Sequence, residues 1–231
     1  DTSRGTPVWV NALFARAELR IVVGNIEPHQ FAGFSGGVKT AAIGLGGAHT
    51  IQHNHSLLKL PGARLGEVEA NPVRQDVEEI GQRMGVHFAL NAVLNQDKQI
   101  VNVLAGDPRL VMRQGVPLSR QVSQLAVTAP YDLLVASPGG HPKDINLYQA
   151  QKGLAHASQI VKPGGTLLLA AHCPEGSGSQ SFESWMTGAA SLDDVLERFA
   201  REEFRIGPHK GFLIARDAVK INLQFFSGIP P

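Results

Sequence analysis

Leu19-Arg20-Ile21-Val22-Val23 reads as a buried strand that stops at Gly24-Asn25. It feeds the stretch that most constrains the chain, Glu27 to Ser56, which holds four of the nine histidines (His29, His49, His53 and His55), the glycine-rich turn Gly33-Phe34-Ser35-Gly36-Gly37 and a lone lysine, Lys39. A strand running into a glycine-rich turn is where α/β folds build their sites, because the loop at the strand's carboxyl end lets backbone N–H groups approach a ligand. The chemistry is expected there.

The rest of the pattern points to two α/β domains. Thr6 to Asn11 reads as a short strand or as the entry to a helix over Ala12 to Glu18, with Asn11 as its cap. After a loop at Pro61-Gly62 comes a helix from Pro72 to Met84, with Val73, Val77 and Ile80 at helical spacing. Strands over Phe88 to Leu94 and Gln99 to Ala105 flank Asn95-Gln96-Asp97-Lys98 as a hairpin. Asp107-Pro108 starts a helix reaching about Ala126. From Pro130 a second organisation begins: strand Tyr131 to Ser137, turn Pro138-Gly139-Gly140, helix Leu147 to Ile160, a break at Lys162-Pro163-Gly164-Gly165, and strand Thr166 to Ala171. That is a Rossmann-like βαβ unit. Leu192 to Glu203 reads as an amphipathic helix and Phe212-Leu213-Ile214-Ala215 as a further strand. The boundary falls between Pro117 and Pro130, giving domains 1–122 and 123–231 with the active site in the cleft between them.

Composition removes several function classes. Lys+Arg 21 against Asp+Glu 20 leaves a net charge of +1, so no electrostatic footprint for nucleic acid or an anionic membrane is present. The single cysteine, Cys173, forms no internal disulfide and no zinc knuckle, which fits a reducing compartment; the cytoplasm is expected. No apolar run approaches a membrane span, and the start at Asp1 lacks the regions of a signal peptide. Nothing in the sequence sets an oligomeric state.

Three groups of residues carry candidate chemistry. In Gly33 to Thr40, Val38 separates Gly37 from Lys39, so the adjacent Gly-Lys of a phosphate-binding P-loop is missing. Lys39 is then either a solvated lysine or a desolvated nucleophile fit for covalent cofactor attachment. His49 and His53 share a face of a helix, whereas His53 and His55 share a face of a strand, so either pair has metal-ligand spacing; imidazole suits nickel as well as zinc. His29 is the residue best placed for acid/base work near neutral pH. Downstream, Gln149 and Lys152 stand at i and i+3 near a helix N-terminus, where an amide and an ammonium make either a carboxylate clamp or a solvated face. His172, Cys173, His209 and Lys210 have no partner at useful spacing and read as structural or loop residues.

Taken in order, Ser3 to Asn11, Pro28 to Lys39, Asn54-His55-Ser56, Pro138 to Asp144, Tyr148 to Lys152 and Gly207 to Lys210 resemble the lactate racemase family, whose members use a nickel-pincer nucleotide. The resemblance implies a racemase or epimerase of a 2-hydroxy acid, lactate or a related acid. Its cofactor would be a pyridinium mononucleotide whose two sulfur-bearing arms and ring carbon hold nickel. By this resemblance Lys39 bonds covalently to one arm, with Gly36 and Gly37 beside it in the cofactor site, and His55 completes the nickel site. His29 is one of two acid/base histidines, and Gln149 and Lys152, with Tyr148 alongside, hold the substrate carboxylate. Cofactor biosynthesis proteins are implied as partners. The second acid/base histidine, a substrate arginine and part of the nucleotide site are expected upstream of Asp1, and a further segment after the last motif. The chain as given is then an incomplete enzyme. Ile43 stands where the family pattern leads one to expect proline. The alternative to catalysis is a metal- or nucleotide-binding module in which the histidine cluster holds a structural ion.

Overall fold

In a computed structural model, which describes residues 1–229, Asn11 opens the first helix: its Oδ1 accepts from the backbone N–H of Leu13 at 2.9 Å, and α1 runs over Ala12–Arg16. There follow β1 (Ile21–Asn25), β2 (Pro28–His29), β3 (Gly33–Phe34), α2 (Lys39–Gly44) and α3 (Ala48–Ser56). Then come α4 (Pro72–Arg83), β4 (Phe88–Leu94), β5 (Ile100–Gly106) and α5 (Pro108–Ser123). The longer helices start where capping chemistry dictates: Asn71 accepts from Arg74 N–H and Asp107 from Arg109 and Leu110 N–H, each at 3.0 Å, with proline in the first helical turn of both. Thr6 to Asn11 forms no strand; Val10 makes an isolated bridge to Gly46.

β1 lies parallel to β4, Val22 opposite Ala89, and β4 runs antiparallel to β5 in the expected hairpin. The Asn95 carboxamide oxygen closes its turn by accepting from Asp97 and Gln99 N–H. Ala89, Asn91 and Val93 are buried while Phe88 and Leu90 are not, the two-residue period of a strand covered on one face. That face packs under α4 and α5 with Val22, Ile26, Phe34, Val77, Ile80 and Met112. Fully buried aliphatics such as Val77 and Ile80 each contribute about 1.5–3 kcal/mol.

The chain divides into two compact units at Leu125/Ala126. Pro117 lies inside α5. The second unit holds β6 (Tyr131–Ala136), α6 (Leu147–Ala157), β7 (Val161–Ala171), α7 (Gln180–Met186), α8 (Leu192–Arg201), α9 (Pro208–Ala218) and β8 (Asn222–Ser227). β6, β7 and β8 are parallel, with β7 central, so β6-α6-β7 is the expected βαβ unit. Leu154, Val161, Leu167, Leu169 and Ala218 form its core.

Two expectations are corrected. Phe212 to Ala215 is not a strand but the middle of α9, because Leu213, Ala215 and Ala218 turn inward together with Lys210 at helical spacing and Pro208 follows Gly207 as a first-turn residue. Lys162 to Gly165 does not interrupt the chain before β7 but lies within it, where the pairing with β6 shifts register between Tyr131 and Leu133. No described helix is long and apolar enough to cross a membrane.

Candidate active site

The turn ahead of Lys39 is held from below. Gly36 and Gly37 both have positive φ, at 86° and 58°. A Cβ on Gly36 would stand 2.7 Å from Ile26 Cγ1, and one on Gly37 2.6 Å from Met112 Cγ. Asn91 Oδ1, on β4, accepts from Gly37 N–H at 2.7 Å, and Arg74 Nη1, on α4, donates to the carbonyls of Phe34 and Gly36 at 3.2 Å each. The glycines are needed because protein already occupies the space around them. Their hold delivers Lys39, half-buried, as the first residue of α2. Ile43 lies in the same helix and packs against the first core.

Upstream, β2 and β3 make a minimal antiparallel pair in which His29 faces Gly33. Asn71 serves twice: besides capping α4, its Nδ2 donates to Phe31 O at 2.9 Å, fixing the loop between the two strands. Gly33 (φ 72°) has no alternative, since a Cβ there would stand 1.7 Å from Glu67 O. Gly33→Ala is expected to lower stability by roughly 3 kcal/mol, through the left-handed backbone and the forced movement of Glu67. A denaturant midpoint unchanged from the parent would refute this account of the loop.

Phe31 is the organiser that sequence reading passed over. Its buried ring meets His29 edge-on at 4.7 Å between centroids and His55, from α3, edge-on at 5.2 Å. Two half-buried imidazoles from different elements thus flank one aromatic ring. His29 Nδ1 accepts from Ala32 N–H at 3.2 Å, so the neutral ring carries its proton on Nε2.

The histidines of α3 do not gather. His49 is exposed and packs edge-on against Trp9 at 5.0 Å; His53 Nδ1 lies 2.8 Å from Thr6 Oγ1; His55 meets Phe31. On a helix, residues two apart point to different sides, which separates His53 from His55. Among the described residues no group of three or more His, Cys, Asp or Glu side chains is assembled to hold a metal. The expectation of a histidine cluster is corrected accordingly. Among the described residues the donor set at His55, one imidazole with a lysine nearby in sequence, fits a metal-bearing organic cofactor better than a bare ion.

In the second unit Tyr148, Gln149 and Lys152 all lie on α6, whose N-cap Asn146 accepts from Gln149 N–H at 3.1 Å. Tyr148 and Lys152 are i,i+4 neighbours, with Gln149 three residues before Lys152. Burial raises the pKa of Tyr148, keeping its hydroxyl a donor at neutral pH. Two residues assigned to structure by the sequence turn out to adjoin this group. Lys210, in α9, sits over the Tyr148 ring at 4.7 Å, and the His209 ring lies 6.1 Å from it. His209 Nδ1 accepts from Gly207 N–H at 3.1 Å, a bond that closes the start of α9. Local spacing gave no partner for Lys210 because its neighbours lie about sixty residues away in the chain, on α6.

Comparison with known proteins bears on all of this. Residues 1–66 match the lactate racemase N-terminal domain and residues 126–206 the lactate racemase C-terminal domain. The chain is 33% identical over 196 residues to lactate racemase of Thermoanaerobacterium thermosaccharolyticum, covering 84% of this chain and 46% of that protein. It is 35% identical over 190 residues to lactate racemase of Lactiplantibacillus plantarum, covering 81% and 44%. It thus spans about half the length of the curated relatives it matches. The fold is similar to that of the lactate racemase apoprotein from T. thermosaccharolyticum, with a TM-score of 0.89 and 30% identity over 94% of this chain and 53% of that one. Two family domains matched in order, with a shared two-domain α/β fold, mean that the chain belongs to the lactate racemase family.

Proposed function

We propose that the protein serves in racemising or epimerising a 2-hydroxy acid, lactate or a close relative, with a nickel-pincer nucleotide held through Lys39 and His55. One observation carries the reading: His29 and His55 flank the same Phe31 ring, which sets an imidazole able to move protons beside one able to bind a metal. When bound, the cofactor supplies a hydride acceptor, so that the α-carbon passes through a planar 2-keto acid from which either enantiomer can be rebuilt.

The chain's own share is attachment, proton transfer and orientation. Lys39, at the start of α2, offers its amine for the covalent bond to the cofactor. His29 handles the alcohol proton. With Nδ1 bonded to Ala32 the ring is a donor at Nε2; accepting a proton at Nε2 needs the other tautomer and sacrifices that bond, a cost of about 1 kcal/mol. Gln149 and Lys152 orient the substrate carboxylate, their places on α6 letting the amide and the ammonium each meet one oxygen.

Intact mass spectrometry tests the core of this reading. Protein co-produced with the cofactor biosynthesis proteins is expected to carry a nucleotide adduct that is absent from Lys39→Ala. His55→Ala is expected to retain the adduct and lose most of its nickel. Equal masses for parent and Lys39→Ala, with no nickel in either, would end it.

A further inference from the structure

Lys210 is 5% exposed, yet among the described residues its ammonium makes no ion pair and no hydrogen bond; its contact is the face of Tyr148. A buried lysine without a carboxylate is costly, and here three circumstances add up. Lys210 stands in the first turn of α9, at the positive end of an 11-residue helix with no acidic residue in that turn. Tyr148, which it covers, stands in the first turn of α6, likewise 11 residues long and without a first-turn acid, so two helix N-termini meet at this pair; the Glu175 carboxylate reaches the α6 end only through the N-cap, accepting from Asn146 Nδ2 at 3.2 Å. The third is Lys152, a second positive charge near enough to act on it. Burial first, and then Lys152, bring the Lys210 pKa from 10.5 down to about 7.

Among the described residues no carboxylate pairs with Lys210. Tyr148 and Lys152 face Lys210 from α6, and His209 adjoins it in its own turn. On the side of α7 and α8, Trp185 and Met186 pack against Gly211 and Phe199 stacks on Phe212. The charged groups there have other partners: Arg198 pairs with Glu202 and lies over Trp185, while Glu183 accepts from Ser177 Oγ.

We propose that Lys210 is a third contact for the substrate carboxylate, closing with Gln149 and Lys152 a clamp built wholly within the second unit. An anion placed there relieves all three circumstances together, and two ammonium groups beside an amide suit a planar group of two oxygens. Naming the anion as a 2-hydroxy acid rests on the function proposed above. Because burial and Lys152 hold Lys210 largely neutral above neutral pH, arrival of the carboxylate draws a proton onto it. Lys210 also shapes stability. Between about pH 7 and pH 10.5 the unfolded chain binds more protons at this position than the folded one, so stability rises with pH across that window, and Lys210→Met removes the slope.

Calorimetric titration of the 231-residue chain with lactate, in two buffers of different ionisation enthalpy, reads the proton directly. Close to one proton is expected to be taken up per lactate at about pH 8.5 and far less at about pH 6. Lys210→Met is expected to fold, to melt higher than the parent near pH 7, to abolish the uptake and to weaken lactate about tenfold or more. Lys152→Gln is expected to weaken lactate while leaving uptake in place. Absence of uptake in the parent chain at about pH 8.5, uptake persisting in Lys210→Met, or no lactate bound at all would each overturn the proposal, as would inorganic phosphate binding more tightly than lactate in competition. The parent measurement decides the matter even if the variant does not fold. The Lys39 adduct is read separately: an adduct without proton uptake sinks the Lys210 contact alone, and uptake without an adduct sinks the cofactor reading alone.

Discussion

Asp76→Ala is expected to cost about 3–5 kcal/mol, among the largest losses available to a single substitution in the first unit. Asp76 lies on α4 at 1% exposure, and its carboxylate is met by donors and not by a cation. Thr2 Oγ1 donates at 2.6 Å, Thr6 Oγ1 at 2.8 Å and Asn54 Nδ2 at 2.8 Å. Thr6 has one hydroxyl proton, and with that proton given to Asp76 its oxygen can only accept from His53, whose Nδ1 is 2.8 Å away. Removing the carboxylate therefore takes the acceptor from two buried hydroxyls and from one N–H of the Asn54 amide, which keeps its bond to Val73 O, and leaves His53 bonded to a group that has lost its own anchor. Asp76→Asn keeps the shape but presents an NH2 group to donors, so it should recover less than half of the loss. Urea denaturation of the three proteins checks the order. Because Asn54 and His53 stand on α3 beside His55, Asp76→Ala should also reduce nickel retained by the loaded protein; a stability loss under about 1 kcal/mol would show that water replaces these bonds.

How much of this was legible in the sequence follows the range of the interactions. The hairpin of β4 and β5, the start of α4 at Asn71-Pro72 and of α5 at Asp107-Pro108, and the cap at Asn11 depend on residues a few positions apart, and the sequence yields them. The short apolar run Phe212 to Ala215 suits helix and strand alike, and only the Gly207-Pro208 start signals α9. Strand β8 carries a short apolar alternation in Asn222-Leu223-Gln224-Phe225, whereas α7 is too short to stand out. The site divides in the same way. Lys39, His29 and His55 stand out through motifs, but Phe31 as the ring they share, Asn71 and Arg74 as supports, and Lys210 beside Tyr148 depend on partners decades of residues away. Adjacency in sequence even misleads: three histidines within seven residues look like a cluster, and the helix disperses them.

The second large effect is expected at Arg74. Replacing it with methionine, which retains most of the buried stem, should cost about 3–5 kcal/mol. Arg74 heads the fully buried side chains by volume, and its guanidinium joins three things that are far apart in sequence: the Phe34 carbonyl, the Gly36 carbonyl and the Glu78 carboxylate. Methionine leaves both buried carbonyls without their donor and the half-buried Glu78 without its cation. Adding Glu78→Gln removes the orphaned charge, so Arg74→Met/Glu78→Gln should be more stable than Arg74→Met alone, and the double-mutant cycle isolates the ion pair from the turn contacts. What the double variant cannot restore is the hold on Gly36, three residues before Lys39. Recovery of stability without recovery of the Lys39 adduct is therefore the expected result. If the double variant carried as much adduct as the parent, the Gly36 carbonyl bond would be shown to support the fold but not the placement of the lysine.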